Sequence, residues 1–362
     1  MRRIDACSAL CPTCPSITFV KQSSPAAKFI HNVLHQECES AHRRLVQALG
    51  LAEHDQVEGI RGYRRAVKKI RCALLLTAGA FSSEKRKALD ERWATLARRL
   101  GIFRDVDARE KKLNEIIDRL PAIDQESVRV AWQSAQDPKD VAVQSVNRRE
   151  VLEGLTGDTE QLISVTEKIR FTDLTPEMVA GSIEHLWNRA RSQADKSWVD
   201  RDEAWLHSLR KRVQRTHIAF RLMREQSGER GLELEKRFDA AAKAMGELRD
   251  ASMIRLMLPV KDARGDNQEF VTLQAPSQSQ PTHGSPAQMP STQALPTRGQ
   301  VTPSLPNPAP HTESCTAIET LQILVSQAEG EAMKQARKLV VKAFKSDIGK
   351  TLRHITLHIH SL

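Results

Sequence analysis

The chain has 362 residues, 55 of them Lys or Arg and 45 Asp or Glu, which gives a formal charge of +10 and an isoelectric point near 9.4. A chain of this size holds a sizeable core in one or two domains, and its positive balance favours an acidic partner such as nucleic acid, anionic lipid or polyphosphate without choosing among them. Aromatic residues make up only 4%, Tyr occurs once and strand-like alternation is hard to find, so a β-rich class is excluded and all-α is expected; no run approaches the ~18 apolar residues of a spanning helix, so a soluble protein is expected.

Residues 1–25 read as an irregular leader. It lacks the continuous apolar segment of a secretory signal, which makes the cytoplasm the expected location. Cys7, Cys11 and Cys14 have the Cys-x3-Cys-x2-Cys spacing that ligates three irons of a cluster in radical enzymes, but no alternating strand and helix pattern follows, so a cluster is not expected. Together with Cys38, Cys72 and Cys315 they do not form a disulfide framework, and reduced thiols are expected. An amphipathic helix runs from Pro25 to about Leu51, with His31, His35, Cys38 and His42 on one side. Four ligands strung over three turns cannot share one ion. Only His31, His35 and Cys38 are close enough for zinc, and an interface stripe is the simpler reading.

Asp55 and Glu58 have capping-box spacing and are expected to start the next helix, which ends near Gly79. Within it lies RGYRRAVKKIR, residues 61–71. At helical pitch Arg61, Arg64, Arg65, Lys68, Lys69 and Arg71 share one face, while Ile60, Tyr63, Val67, Ile70 and Leu74 line the other. The design returns 146 positions later in HSLRKRVQRTH, residues 207–217. There Leu206, Leu209, Val213, Thr216 and Phe220 take the apolar places, and His207, Arg210, Lys211, Gln214, Arg215 and His217 the basic ones. Two faces repeating in register mark an internal duplication. Like charges at i,i+3 and i,i+4 cost about 0.2–0.5 kcal/mol per pair on an isolated helix, so a stripe written twice points to an anion that compensates it rather than to a solvated surface alone.

Ser82 or Ser83 caps a helix through Leu100, and LGIFRD (100–105) closes it at a turn around Gly101. MGELRD (245–250) answers it 145 residues on. Arg104 and Arg249 are candidates to meet the anion, whereas Asp105 and Asp250 read as structural partners and caps. Residues 121–145 are poorly periodic; helix resumes from Arg148 to Ile169 and from Pro176 to Lys196. Residues 262–312 are rich in Pro, Ser, Gln and Thr and are expected to be a disordered insertion. A helix follows at 313–345, whose Leu339, Val340 and Phe344 need a docking place on the main bundle, and 346–362 is read as a tail in which His354 and His358 are too close to the terminus to hold a metal.

The paired motifs resemble the CHAD domain, the conserved histidine α-helical domain, whose halves each carry a His-x-x-Arg-x-x-x-[Arg/Lys]-[Arg/Lys]-x-Arg helix followed by a Leu-Gly-x-x-Arg-Asp turn. Residues 207–217 and 245–250 match, with Gln214 and His217 departing from the basic pattern; the first half has Arg61 in place of the name-giving His. The resemblance implies an antiparallel helical bundle of two pseudo-symmetric four-helix halves around a basic central cavity, over 26–261 (halves about 26–172 and 173–261) with 313–345 completing it. It also implies binding of inorganic polyphosphate, in the cytoplasm and at polyphosphate granules. A guanidinium never deprotonates in a protein, so an Arg in place of His suits a binding site and not an acid–base one. No catalytic residue, metal or cofactor is therefore expected. A nucleic-acid binder is less well supported because base-stacking aromatics are missing from the basic faces, and a phosphate-processing enzyme lacks an evident carboxylate and metal constellation. His207, unlike Arg61, would gain charge beside phosphate and strengthen binding as pH falls.

Overall fold

The computed structural model describes residues 24–50, 52–134, 147–171, 173–196, 198, 202–258 and 312–362. The leader with its three cysteines and residues 262–311 lie outside them. Among the described residues the fold is all-α: α1 Pro25–Ala48, α2 Glu53–Leu76, α3 Ser83–Arg99, α4 Gly101–Ile117, α5 Ala122–Ser134, α6 Arg148–Glu167, α7 Pro176–Ala194, α8 Glu203–Leu222, α9 Gly228–Met257, α10 Thr312–Phe344 and α11 Gly349–His360, with a 3₁₀ turn at Arg224–Gln226. None of these helices is long and apolar enough to cross a membrane.

Helix starts follow local chemistry. Ser24 Oγ accepts from Ala27 N at 3.1 Å ahead of Pro25, Thr175 does the same for Met178 N ahead of Pro176, and Asp202 takes Trp205 N at 2.7 Å. The capping box expected at Asp55 and Glu58 does not form. α2 begins at Glu53 behind Ala52, with no side-chain cap, and the Glu58 carboxylate binds Arg61 instead. The turn after α2 holds Gly79 at φ +90°, a left-handed conformation that favours glycine.

Two compact units make up the chain. The first takes the described residues of Met1–Asp107, Ser145–Glu247 and Met333–Leu362. In it α1 packs along α2 and on α6, α2 packs on α3 and α8, and α7 on α8 and α11. Buried polar side chains of this core find partners: Tyr63 Oη pairs with Thr159 Oγ1 at 2.9 Å, and Trp93 Nε1 donates to Thr166 Oγ1 at 3.1 Å. An aromatic cluster also belongs to it, in which Trp187 of α7, Phe220 of α8, Phe238 of α9 and Phe344 of α10 meet at ring-centroid distances of 5.0–6.2 Å. This is where the apolar stripe of the last long helix docks, with Ala336, Val340 and Ala343 buried beside it.

The second unit takes the described residues of Ala108–Gln144 and Leu248–Ala332. Its core joins Ile116 and Ile117 to Val128 and Trp132 of α5, Ile254 of α9, and Leu321 and Val325 of α10. Ser252 Oγ donates to Glu329 at 2.6 Å, and Arg255 pairs with the same carboxylate at 2.7 Å.

Three local readings change. Residues 122–134 are helical where the sequence pattern is weak, because Val128 and Trp132, one turn apart, anchor an otherwise polar helix. Part of the tail is α11, whose Leu352, Ile355 and Ile359 are buried. The second LGxxRD-type motif is no turn: MGELRD lies inside α9. A single helical glycine costs about 1 kcal/mol relative to Ala, and burial of Ala244, Met245 and Leu248 around Gly246 outweighs that. In the first copy the helix does break, at Leu100, and Arg64 reaches across from α2 to donate to the Ala97 carbonyl in the last turn of α3.

Candidate anion-binding groove

α2 and α8, the two copies of the basic helix, are in direct contact, and Cys72 Sγ donates to the Arg215 carbonyl at 3.6 Å. On one flank of this contact, with α1 and α9 closing the sides, lies a groove of about 670 Å³. α2 contributes Arg65, Lys68 and Lys69; α8 contributes Gln214, His217 and Arg221. Arg44 comes from α1, Arg224 from the 3₁₀ turn, and Lys236 and Lys243 from α9. Eight Lys or Arg side chains thus face three carboxylates, Glu37, Glu235 and Asp239.

Each of those carboxylates holds a cation. Glu37 accepts from Lys69 Nζ at 2.7 Å, Asp239 Oδ2 lies 2.7 Å from Lys243 Nζ, and Glu235 is forked by Arg224 at 2.7 and 2.8 Å. The fork raises the Arg224 pKa further above its ordinary value. The lining holds more cations than carboxylates, although Arg65 also lies 3.7 Å from Glu58, and that excess of positive charge sets the electrostatic character of the groove.

The other basic residues of the motif turn elsewhere. Arg61 pairs with Glu58 at 3.0 Å, and Arg64 takes the end of α3. Arg71 forks onto Asp90 at 2.7 and 3.0 Å. Its charge reaches α8: burial first, then Arg215, Arg71 and Arg210, push the Lys211 pKa below its usual value, and burial followed by Arg71 does the same to Arg215 against the pull of Asp90. Cations of both basic helices therefore crowd together on the Arg71 side as well. His207 is exposed near the start of α8. Arg104 pairs with its neighbour Asp105 at 2.8 Å; in the second unit, Arg249 lies 3.8 Å from Asp250. Both aspartates pair with the adjacent arginine as expected, but Asp250 lies inside α9 and so does not cap a helix.

The histidine stripe of α1 faces α6. His31 Nε2 meets the Glu167 carbonyl at 3.1 Å, His35 Nδ1 the Glu167 carboxylate at 2.7 Å, and His42 the Glu160 carboxylate at 3.2 Å. Cys38 is buried, and burial pushes its thiol up to about 12, which opposes the thiolate that zinc requires. Among the described residues no group of three such side chains is placed to hold a metal ion.

Sequence reasoning missed Arg44, Arg221, Arg224, Lys236 and Lys243. Arg221 was within reach, since Gln214, His217 and Arg221 stand at i, i+3 and i+7 and extend the α8 stripe by a turn. Lys236 and Lys243 are likewise seven apart, but only tertiary packing brings α9 to this place. Arg44 depends on Gly62: a Cβ there would stand 2.5 Å from Arg44 Cδ, so the bare glycine lets the Arg44 side chain lie across α2.

The sequence profile of the CHAD domain matches residues 39–259. The chain belongs to the CHAD domain family. Among solved structures, PptA from Streptomyces chartreusis matches 89% of this chain and 100% of its own with a TM-score of 0.51 at 13% identity, a likeness of fold alone. A CHAD domain from the plant Ricinus communis matches 65% of this chain and 78% of its own with a TM-score of 0.44 at 19% identity. No curated protein matches the sequence. Within this CHAD chain the matched stretch holds most of the groove, including both basic helices and the α9 lysines.

Proposed function

We propose that this CHAD protein binds inorganic polyphosphate, without turning it over, in the cationic groove beside the α2 and α8 contact. The observation that carries this reading is the union of both copies of the basic helix in one groove where eight cations face three carboxylates. Polyphosphate carries about one negative charge per phosphate and has no fixed shape, so its binding draws on many charge-assisted hydrogen bonds and on counterion release rather than on a tailored pocket. A groove lined by cations from several helices offers that. Its carboxylates support binding over hydrolysis, because each is engaged by a Lys or Arg and thereby neutralised rather than presented to a metal-bound phosphate. The location that goes with this reading is the cytoplasm.

Thermal melting of the full chain tests it. Long-chain polyphosphate should raise Tm, while the same phosphate supplied as Pᵢ should not. Double-stranded DNA at matched charge should compete poorly; equal competition would turn the reading toward nucleic acid. Orthophosphate released in the presence of Mg²⁺ or Mn²⁺ would overturn binding without turnover.

A further inference from the structure

His217 is the one motif position of α8 that combines burial with a titratable ring. It is 8% exposed, it lines the groove, and its Nε2 has no hydrogen-bond partner among the described residues. A buried polar atom left in this state destabilises the fold, so its presence in a groove wall asks for a compensating state. The nearest carboxylate oxygen, Asp239 Oδ1, stands 3.6 Å away, just beyond hydrogen-bond reach. Resting on the polyphosphate reading above, we propose that anion binding in this groove is coupled to uptake of one proton by His217, which makes the site pH-responsive near neutrality.

The charges around the ring explain both states. Asp239, Glu235 and Lys243 face it from α9 and Arg221 from its own helix; Lys68 and Lys69 of α2 and Glu37 of α1 line the same groove. In the empty groove, burial outweighs Asp239, and Arg221 and Lys243 add to it, so the ring is held below its ordinary pKa and is neutral at pH 7. Phosphate reverses the sign of the local potential. The ring then takes a proton from solvent, and a small approach to Asp239 Oδ1 completes the missing hydrogen bond. Asp239 meanwhile keeps Lys243 on its other oxygen, at 2.7 Å. The groove gains one positive charge with no side chain entering it.

The equivalent residue of the first copy, 146 positions earlier, is Arg71. It is charged at every accessible pH and is already forked onto Asp90. One copy of the motif therefore contributes a constant charge and the other a titrating one. The ligand itself adds little slope, because only the ends of a long polyphosphate titrate near neutral pH.

The test is calorimetry of the full chain with long-chain inorganic polyphosphate in two buffers of different protonation heat. Wild type should take up as much as one proton on binding, and its affinity should rise by at most about tenfold per pH unit between about pH 8 and about pH 6. His217→Gln and His217→Arg should both lose that slope, with His217→Arg keeping the affinity wild type reaches in acid. A slope that survives in a folded His217→Gln protein would place the proton on another group, His207 for example, and overturn the proposal. If neither variant folds, the His217 ring resonances of wild type decide: they should move toward the imidazolium position when polyphosphate is added at neutral pH, and unmoved resonances overturn it. Tight binding with no pH dependence would sink the coupling alone, whereas absence of binding at every pH would sink the polyphosphate reading with it.

Discussion

Two glycines of α2, three residues apart, carry different weights in this protein. A Cβ on Gly59 would lie 2.4 Å from Ala48 N and 2.6 Å from Ala48 Cα, backbone atoms that cannot step aside. Gly59→Ala should therefore destabilise the fold by roughly 1–3 kcal/mol or more, read from the denaturant midpoint. At Gly62 the obstacle is the flexible Arg44 side chain, so Gly62→Ala should leave the midpoint within about 0.5 kcal/mol of wild type and instead weaken the proposed polyphosphate binding by moving Arg44 off the groove. An equal loss of stability in both variants would show that Arg44 is not the adjustable partner. His217 adds a pH term to stability. Its folded pKa lies below the usual ~6.5, so below that value the unfolded chain binds a proton that the folded chain refuses, and stability falls as pH drops until the folded pKa is reached. His217→Gln should lose less stability than wild type as pH falls below about 6.5; parallel denaturation curves would contradict this.

Among the helices, α10 is anchored by an aromatic side chain. Phe344 meets Trp187 at 5.1 Å and Phe238 at 5.0 Å between ring centroids, in edge-on contacts worth about 0.5–1.5 kcal/mol each beyond their burial. Phe344→Ala should cost about 3–5 kcal/mol in equilibrium unfolding, and a loss below about 1 kcal/mol would mean that α10 is held elsewhere. The basic helices show a different division of labour. Their apolar faces follow the period, with Ile60, Tyr63, Val67, Ile70 and Leu74 buried in α2 and Leu209, Val213, Thr216 and Phe220 buried in α8, where Leu206 is only half-buried. The cationic faces are split. Part of each stripe lines the groove, while Arg64 secures the broken end of α3 and Arg71 is neutralised by Asp90.

At the scale of the whole molecule, the proposed binding of a flexible polyanion depends on how many cations the groove brings to bear. The logarithm of affinity should fall linearly with the logarithm of salt concentration, and each groove cation removed should lower the slope by about one. Lys68→Ala and Lys236→Ala, from helices far apart in sequence, should each lower it; an unchanged slope in Lys236→Ala would remove α9 from the site.

The all-α class, the two basic helices and their apolar faces follow from the sequence alone, because helical period and duplication are properties of spacing along one chain. The family likeness is legible for the same reason, in motifs quoted residue by residue. What spacing cannot decide is which cations of a roughly 160°-wide arc line the groove and which meet a carboxylate elsewhere. That depends on Asp90, Asp239, Glu235 and Glu37, which come from other helices, and on the bare backbone of Gly62. The weak helix at 122–134 and α11 escaped the pattern for a related reason: their few apolar residues become sufficient only against surfaces supplied by the rest of the fold.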